Sequence, residues 1–300
     1  MTARSNQRSP RNLRGRRIGV LWVAAVGVLA AGCGGPTGAP AASAPTGEMP
    51  AAAAPVFGHV HGLGVDPADD RIYVATHDGL FRADVNGRLE PSGTTKRDLM
   101  GFTVAGPGTF LSSGHSGSDE QVANPLGLVR STDAGATWTT LSLAGEVDFH
   151  ALEISAGTVY GLDAGRQVLR VSTDGGSSWQ DRAALPALDI AVDPADPARV
   201  LATVRGGVAA SADGGRTFTA PAGPQLAFLS WAPGGTIYGL GLEGALHVST
   251  DRGATWQQLG TVPGGRPQAV TGLTTGRVLA ATAGGIYESR DGGHTFSSVT

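Results

Sequence analysis

Short apolar segments recur along the chain from about residue 57 onward, and glycine-rich turns separate them. Examples are RIYVAT, VYGLD, VLATV, TIYGLG and VLAAT, which are rich in β-branched and aromatic residues. Such segments bounded by turn residues are typical of β-strands. Glycine accounts for 47 of the 300 residues, which favours many turns over long helices. The pattern predicts an all-β chain of short strands.

Five octamers of one type follow the apolar segments at nearly constant spacing. They are STDAGATW at 131–138, STDGGSSW at 172–179, SADGGRTF at 211–218, STDRGATW at 249–256 and SRDGGHTF at 289–296. Their start-to-start spacings are 41, 39, 38 and 40 residues. A period near 40 indicates a propeller or a solenoid.

The residue types of the octamer predict a tight, self-contained turn. Serine and aspartate side chains can bond to backbone amides of the turn. The glycine at the fifth position allows a positive φ that would strain other residues. The closing tryptophan or phenylalanine can pack back over the turn. We therefore assign a structural role to the octamer aspartates, which are Asp133, Asp174, Asp213, Asp251 and Asp291.

These octamers resemble the Asp-box, or BNR, repeat of sialidase-like β-propellers. The resemblance covers roughly residues 57–300. In that family the box joins the third and fourth strands of a blade, away from the functional face. Each unit here fits this order, because an apolar stretch, a second strand, a glycine-rich turn and a third strand precede the octamer, and a fourth strand follows it.

A sixth unit begins at GHVHGLGVDP, residues 58–67, and its octamer has decayed to RADVNGRL. Six units of about 40 residues predict a six-bladed β-propeller over residues 57–300, with seven blades as the alternative. No strand exchange that would close the ring is evident, although residues 55–57 could contribute one.

The N-terminus predicts export and lipidation. Residues 1–17 carry six arginines and no acid, and the next 14 residues, 18–31, are apolar. That apolar run is short for a membrane span, so residues 1–32 are predicted to be a signal peptide. The sequence Ala-Ala-Gly before Cys33 resembles the lipobox of bacterial lipoproteins. This resemblance implies a lipid anchor on Cys33 at the extracytoplasmic face of a bacterial membrane. Ordinary cleavage that leaves a free thiol is the alternative.

Composition supports a tethered domain in that location. Residues 33–56 are rich in Ala, Pro, Gly, Ser and Thr, and are predicted to form a disordered tether. Cys33 is the single cysteine, so no disulfide can stabilise the propeller. The formal net charge of -3 gives no footprint for nucleic acid, and no nucleic-acid partner is expected.

Alignment of the inner strands places polar residues of the first three blades at one level. The strands are HVHGLGVD, DLMGFTVA, DFHALEIS, PALDIAVD, QLAFLSWA and PQAVTGLT, the last in an approximate register. Residues two apart share a face of a strand. The first three blades therefore present His59 with His61, Asp98 with Met100, and Asp148 with His150, whereas the other three blades are mostly apolar there.

The turns between second and third strands open at the same face in propellers of this family. They contribute His77 and Asp78 from blade 1, His115 from the long turn of blade 2, Asp163, Arg205 and Glu243. Five of the seven histidines thus converge from three blades. His247 and His294 fall outside the group and are interpreted as surface residues.

The first functional hypothesis is a metal or polar-ligand site. Imidazoles suit Zn, Cu, Fe or Ni, and a thioether shifts the preference towards copper. The candidate ligands are His59, His61, His77, Met100, His115 and His150. Asp98 and Asp148 could bind the metal or orient an imidazole. Copper or zinc is the expected cofactor. Ordinary strand-end residues that bond to each other and to water are the alternative.

The second hypothesis is a glycoside hydrolase acting on extracellular glycans, because the chain resembles bacterial BNR-repeat lipoproteins of the glycosylhydrolase-like type. Hydrolysis usually needs two carboxyl groups, and the candidates are Asp98, Asp148, Asp78 and Glu243. True sialidase activity is not expected, because no arginine triad is visible and the tyrosines fall at packing positions. The third hypothesis is an assembly or interaction scaffold that presents the propeller face to a protein partner.

Overall fold

The protein was analysed as a computed structural model that describes residues 58–300. It is built almost entirely of antiparallel β-strands, with one short 3-10 helix, η1 (Thr274–Gly276). Blades 1 to 3 contain β1 (Val60–Val65), β2 (Ile72–Thr76), β3 (Gly79–Ala83), β4 (Leu89–Pro91), β5 (Asp98–Gly106), β6 (Thr109–His115), β7 (Leu128–Ser131), β8 (Thr139–Ser142), β9 (Phe149–Ser155), β10 (Thr158–Asp163), β11 (Val168–Ser172) and β12 (Gln180–Ala184). Blades 4 to 6 contain β13 (Ala187–Val192), β14 (Val200–Val204), β15 (Gly207–Ser211), β16 (Leu226–Trp231), β17 (Ile237–Gly241), β18 (Ala245–Ser249), β19 (Gln257–Thr261), β20 (Pro267–Gly272), β21 (Val278–Thr282), β22 (Gly285–Ser289) and β23 (Ser297–Ser298).

The strands form six sheets, and each sheet is made of strands that are consecutive in the chain. The predicted all-β, six-bladed propeller is therefore confirmed, and the described residues form six blades rather than the alternative seven. No strand is exchanged between sheets within residues 58–300. The predicted signal peptide, Cys33 and the tether up to residue 56 lie outside the described residues. Within the described part, no helix is long and apolar enough to cross a membrane.

Blade 4 departs from the predicted four strands, because its sheet contains only β13, β14 and β15. The segment after its octamer pairs through one isolated bridge, between Val208 and Ala222. The sequence there is TAPAGP, and the prolines at 221 and 224 have no N–H to donate to a ladder. The fourth strand predicted for this blade is therefore wrong.

The core lies between neighbouring blades. Between blades 1 and 2, for example, Tyr73 and Phe110 are fully buried and their ring centroids are 4.8 Å apart. Five similar clusters of buried residues follow around the ring. Burying each large apolar side chain stabilises the fold by about 1.5–3 kcal/mol. Because each sheet is covered by its neighbours, the blades stabilise one another.

The first and last blades close the ring through side chains. The Thr271 hydroxyl donates to the Leu63 carbonyl at 2.8 Å, and the Val60 amide donates to the side chain of Gln268 at 3.1 Å. Arg277 pairs with Asp70 of blade 1 across the same seam, at 2.8 Å. All six sheets and these closing contacts are made among the described residues 58–300, which belong to one compact unit.

The octamers form the local turns that their residue types predict. In the blade 4 octamer, the Ser211 hydroxyl donates to the Asp213 carboxylate at 2.7 Å and accepts from the Gly215 amide at 2.9 Å. The same carboxylate accepts from the Thr217 amide at 3.0 Å and from its hydroxyl at 2.6 Å. The other four octamers repeat this pattern. In the blade 5 octamer, the hydrogen bonds that Asp251 accepts, first those from Thr255, lower the pKa of its carboxyl group to about 2.

The octamer glycine has a second role that its sequence position did not indicate. At Gly215, where φ is +80°, an added Cβ would lie 2.2 Å from the Leu169 side chain of the preceding blade. The glycines at 135, 176 and 293 face a leucine of the preceding blade at 2.2 or 2.3 Å in the same way. Each octamer therefore fastens its own hairpin and also packs closely on the blade before it.

Candidate functional site

The inner strand of every blade carries a β-bulge close to its first residues, and these first residues lie at one end of the central channel. We call this end the mouth. In blade 1 the pairing with β2 shifts between Val60 and Gly62, and the other five blades shift at the equivalent place. Bulges redirect side chains at the rims of sheets. The bulged residues His61 and His150 both line the cavity at the mouth.

The bulge corrects the register predicted for blade 6. Pro267 and Ala269 were aligned with the mouth residues of the other blades, but they flank the bulge and are buried. The Ala283 amide donates to the Arg266 carbonyl at 2.8 Å. In blades 1 and 3, the residue that follows the second strand donates in the same way to the first of the two mouth residues on the inner strand. Arg266 and Gln268 therefore occupy the mouth positions of blade 6, one residue earlier than predicted.

Blade 1 supplies three histidines whose ring nitrogens face a common point, and blade 2 adds a carboxylate. One ligand atom from each of His59, His61 and His77 lies within 4.8 Å of the others. Nε2 of His61 lies 3.2 Å from Nδ1 of His77. Oδ1 of Asp98 lies 2.8 Å from the His77 nitrogen and 3.3 Å from the His61 nitrogen. These four residues form the blade 1 cluster.

Two atoms of the blade 1 cluster lack the hydrogen bonds that burial demands. Oδ1 of Asp98 is buried and accepts no well-aligned hydrogen bond, although two imidazole nitrogens are close to it. Nδ1 of His59 is also buried without a partner. Buried polar atoms in native proteins are nearly always satisfied, and exceptions mark strain, function or a missing ion.

Two imidazoles of the blade 1 cluster, those of His59 and His61, favour the neutral form. Burial, and then the nearby His77, lowers the pKa of His61 to about 3. The same two causes lower the pKa of His59. A metal ion binds the neutral form of imidazole, so no proton has to leave His61 at neutral pH.

A second group, the blade 3 cluster, forms around Asp148. Its Oδ2 lies 2.8 Å from Nε2 of His150 and 3.3 Å from Nε2 of His115. Nδ1 of His115 lies 2.9 Å from the side-chain oxygen of Asn124, which belongs to the long turn of blade 2. The hydrogen bond to Asp148 raises the pKa of His150. The two clusters therefore differ, because the pKa of His150 is raised whereas the pKa of His61 is lowered.

The other site residues predicted in the turns belong to neither cluster. Asp78 accepts a hydrogen bond from the Gly58 amide at 2.9 Å. Asp163 is buried and accepts from the Arg166 amide at 3.0 Å. Arg205 and Glu243 lie in the turns of blades 4 and 5, where Glu243 is exposed. Asp98 and Asp148 are thus the candidate acids that contact imidazoles.

A cavity of about 360 Å³ opens at the mouth, and its two halves differ in chemistry. His59, His61, Met100 and His150 line one half. The other half is formed by an apolar wall, which consists of Leu188, Phe228, Leu242 and Pro267. Ala227, Arg266 and Gln268 complete the lining. The size falls within the range of small-molecule sites, which is about 300–1,000 Å³.

Two acids inside the central channel were missed by the sequence analysis. Glu153 and Asp189 line a smaller cavity of about 70 Å³ below the mouth, together with His61. Burial raises the pKa of Asp189 to about 7, even though the amides of Leu229 and Ile190 donate to its carboxylate. Burial and the Asp189 charge raise the pKa of Glu153. Both acids sit in apolar strand stretches, and only the ring geometry brings them together.

Replacing Asp189 with asparagine is expected to change how stability depends on pH. Between about pH 4 and 7 the unfolded chain releases the Asp189 proton and the folded chain retains it, so the folded state loses stability as pH rises. Each unit of difference in pKa is worth about 1.4 kcal/mol. Relative to the unsubstituted protein, Asp189→Asn should gain a few kcal/mol of unfolding free energy from pH 4 to pH 7.

Urea unfolding at several pH values measures this change. The asparagine also loses one acceptor for a backbone amide, which costs about 1 kcal/mol at every pH and leaves the slope unaffected. Glu243→Gln, an exposed acid in a turn, is the matched control. Parallel stability curves for Asp189→Asn and the unsubstituted protein would contradict the expectation.

Comparison with known proteins gives likenesses of fold. No family model and no curated protein matches the chain. The GH74 xyloglucanase from Xanthomonas campestris is 18% identical with a TM-score of 0.53, over 82% of this chain and 46% of that one. A Niastella koreensis GH74 enzyme is 20% identical with a TM-score of 0.53, over 81% and 38% of the two chains. YCF48 bound to a D1 peptide is 15% identical with a TM-score of 0.53, over 82% and 83%.

The chain spans less than half the length of these GH74 structures. At such low identity the likenesses establish the propeller fold and no shared activity. Fold and site together define the class of the protein, which is a six-bladed propeller whose mouth combines a histidine-lined half with an apolar half.

Proposed function

We propose that the chain is an extracytoplasmic Asp-box propeller lipoprotein whose mouth binds a transition-metal ion, copper or zinc. The observation that carries this proposal is the blade 1 cluster. Three ligand atoms of His61, His77 and Asp98 lie 2.8–3.3 Å from one another. The orphaned Oδ1 of Asp98 adds to it, because a bound cation would satisfy that atom.

The spacing of the three atoms suits a first-row metal ion. Zinc bonds to nitrogen and oxygen ligands at about 2.0–2.2 Å, so two ligands of a tetrahedral site are about 3.3–3.5 Å apart. The measured separations of 2.8, 3.2 and 3.3 Å are close to that distance. Small side-chain rotations would bring all three atoms to bonding distance of one ion. The site would leave the fourth position open to His59 or to a ligand from the cavity.

Met100 bears on which metal is bound. Its side chain lines the same cavity as His59 and His61. A thioether is a soft ligand that favours Cu(I), whereas imidazole and carboxylate ligands bind both zinc and Cu(II), with Cu(II) the tighter of the two. The set therefore accommodates zinc or Cu(II) on the blade 1 cluster, and reduction of copper would favour movement of the ion towards Met100.

Metal titration tests the proposal. A chain shortened to residues 50–300 and purified without chelators is titrated with Zn²⁺, Cu²⁺ and, as a control, Mg²⁺, by isothermal calorimetry. We expect one equivalent of zinc or copper to bind and no magnesium, because magnesium prefers oxygen ligands. Absence of stoichiometric zinc and copper binding would refute the metal site.

The anchor is a separate part of the proposal. It rests on the basic and apolar N-terminus and on Ala-Ala-Gly before Cys33. Metabolic labelling with a radioactive fatty acid should modify the full-length protein and fail to modify Cys33→Ser. Equal labelling of both proteins would show that the cysteine is not the lipidation site.

A glycoside hydrolase remains the second candidate, favoured by the likeness to GH74 enzymes and by the two mouth carboxylates. Against it, Asp98 and Asp148 are both engaged by imidazoles. The buried tyrosines Tyr73, Tyr160 and Tyr238 cannot act as nucleophiles at the mouth. A screen of fluorogenic glycosides, with Asp98→Asn/Asp148→Asn as the control, separates the two candidates, since turnover above the control would favour the hydrolase.

A further inference from the structure

Two leucines of the apolar wall are largely exposed to solvent. Leu188 is 62% exposed and Leu242 is 52% exposed, and both face the mouth cavity. Among the described residues, only two other large hydrophobic side chains are exposed, at positions 85 and 122. Phe228, which is half-buried, and Pro267, which is buried, line the cavity beside them. A cavity lined by apolar side chains with a few polar groups is typical of a small-molecule site.

The apolar wall lies beside positive charge. Arg266 is exposed at the cavity, and no carboxylate of the described residues lies within 4 Å of its guanidinium. Arg266 lines the same cavity as His59 and His61 of the blade 1 cluster. The carboxylates of the mouth, Asp98 and Asp148, are each matched with two imidazoles. A metal ion would add further positive charge on the same side.

We propose that the mouth cavity binds a small organic anion with an apolar body. The carboxylate of this ligand would bind the metal ion and Arg266, while its hydrocarbon part would lie against the apolar wall. The inference rests on the proposed metal site and specifies the ligand that shares it. The occupant is a small molecule rather than a polymer, because a cavity of about 360 Å³ lies near the lower end of the range for drug-sized ligands.

Two contributions distinguish this ligand from others. A carboxylate forms paired hydrogen bonds with a guanidinium, which gives both affinity and orientation. Each methylene group that leaves water for the apolar wall adds about 0.8 kcal/mol, which corresponds to about a fourfold gain in affinity. A neutral sugar would gain little from either contribution. The affinity for linear carboxylates should therefore rise with chain length.

The experiment uses linear monocarboxylates on the zinc-loaded chain of residues 50–300. Acetate, butyrate, hexanoate and octanoate are titrated by calorimetry below their aggregation concentrations. We expect affinity to rise by up to about fourfold per methylene from acetate to hexanoate. Hexanol, which has the same hydrocarbon length but no charge, should bind at least about tenfold more weakly than hexanoate.

Three variants assign the two contributions to their residues. The double variant Leu188→Ser/Leu242→Ser should bind zinc normally and lose most of the gain with chain length. Arg266→Gln should weaken every carboxylate by a similar factor and leave the slope intact. Val85→Ser is the matched control, since Val85 is 90% exposed but lies in the turn between β3 and β4. The substituted leucines are exposed, so these variants should fold.

The outcomes separate this inference from the proposed metal site. Zinc binding with equal affinity for acetate and octanoate overturns the present inference alone. An absence of zinc binding overturns the metal site, and the carboxylate series is then measured on the metal-free chain. A slope that depends on the two leucines, with a uniform loss in Arg266→Gln, supports the anion site in that case. Equal affinities along the carboxylate series on the metal-free chain would overturn the anion site as well.

Discussion

Replacing His61 with alanine should weaken zinc binding by more than about 100-fold. Nε2 of His61 is one corner of the triangle it forms with His77 and Asp98, at 3.2 and 3.3 Å from the other two corners. Loss of a group that merely supports a ligand typically costs 10–100-fold in metal affinity, so loss of a ligand should cost more. Calorimetric titration of zinc into the variant and the unsubstituted protein measures the change.

Two companion variants make this result interpretable. The His61 side chain is only 9% exposed, so its removal also leaves a cavity, whereas the His77 side chain is 48% exposed. His77→Ala should therefore give a comparable loss of affinity with little change in the unfolding temperature. His294→Ala, in the exposed octamer of blade 6, is the control and should bind zinc as before. Unchanged affinity in both His61→Ala and His77→Ala would rule out the blade 1 cluster as the site.

The second large effect is expected for stability, at the octamer glycine of blade 4. Alanine at Gly215 must adopt a φ near +80°, which costs about 1–2 kcal/mol for a residue with a Cβ. Its Cβ would also meet Leu169 at 2.2 Å, and Leu169 is fully buried and cannot move aside freely. Overpacking of this kind typically costs about 1–3 kcal/mol more. Gly215→Ala should lower the unfolding free energy by about 2–5 kcal/mol.

The blade 5 octamer offers a matched control for that prediction. Gly253 has φ +84°, but an added Cβ would meet its nearest neighbour, Leu201, at 3.1 Å. Gly253→Ala should therefore show the backbone cost with a smaller packing cost, and lose about 1–2 kcal/mol. Chemical denaturation of the two variants gives the comparison. Equal losses would show that the contact with the preceding blade contributes nothing measurable.

The repeat made the fold accessible from sequence alone. Five octamers at a period near 40 give the number of blades and the order of strands, because each octamer is a local turn whose residues bond to one another. The missing fourth strand of blade 4 also has a cause that is visible in the sequence, namely the prolines at 221 and 224. Local chemistry of this kind is visible in one sequence segment and needs no tertiary context.

The candidate site could be predicted only in part from the sequence. Alignment of inner strands placed His59 and His61 level with Asp98, but it missed Arg266 and Gln268 because it set the last strand one residue late, and only the strand pairing around the bulge gives the register. A bulge depends on how two strands pair, and the hydrophobic pattern of one strand does not reveal it. Glu153 and Asp189 were missed for a similar reason, since their proximity arises where blades 3 and 4 meet in the channel.

The seam between the first and last blades has a consequence for the order in which the molecule folds. The hydrogen bonds Thr271–Leu63 and Gln268–Val60 each join residues 208 positions apart. Blade 1, which carries three of the histidines, is thus held on one side by β20, the inner strand of the last blade. Contacts at such separation form late, because the loop between them must first lose its entropy. The mouth cavity is lined by residues from His59 to Gln268, so it can be complete only after the inner strand of blade 6 has been synthesised and has packed against blade 1.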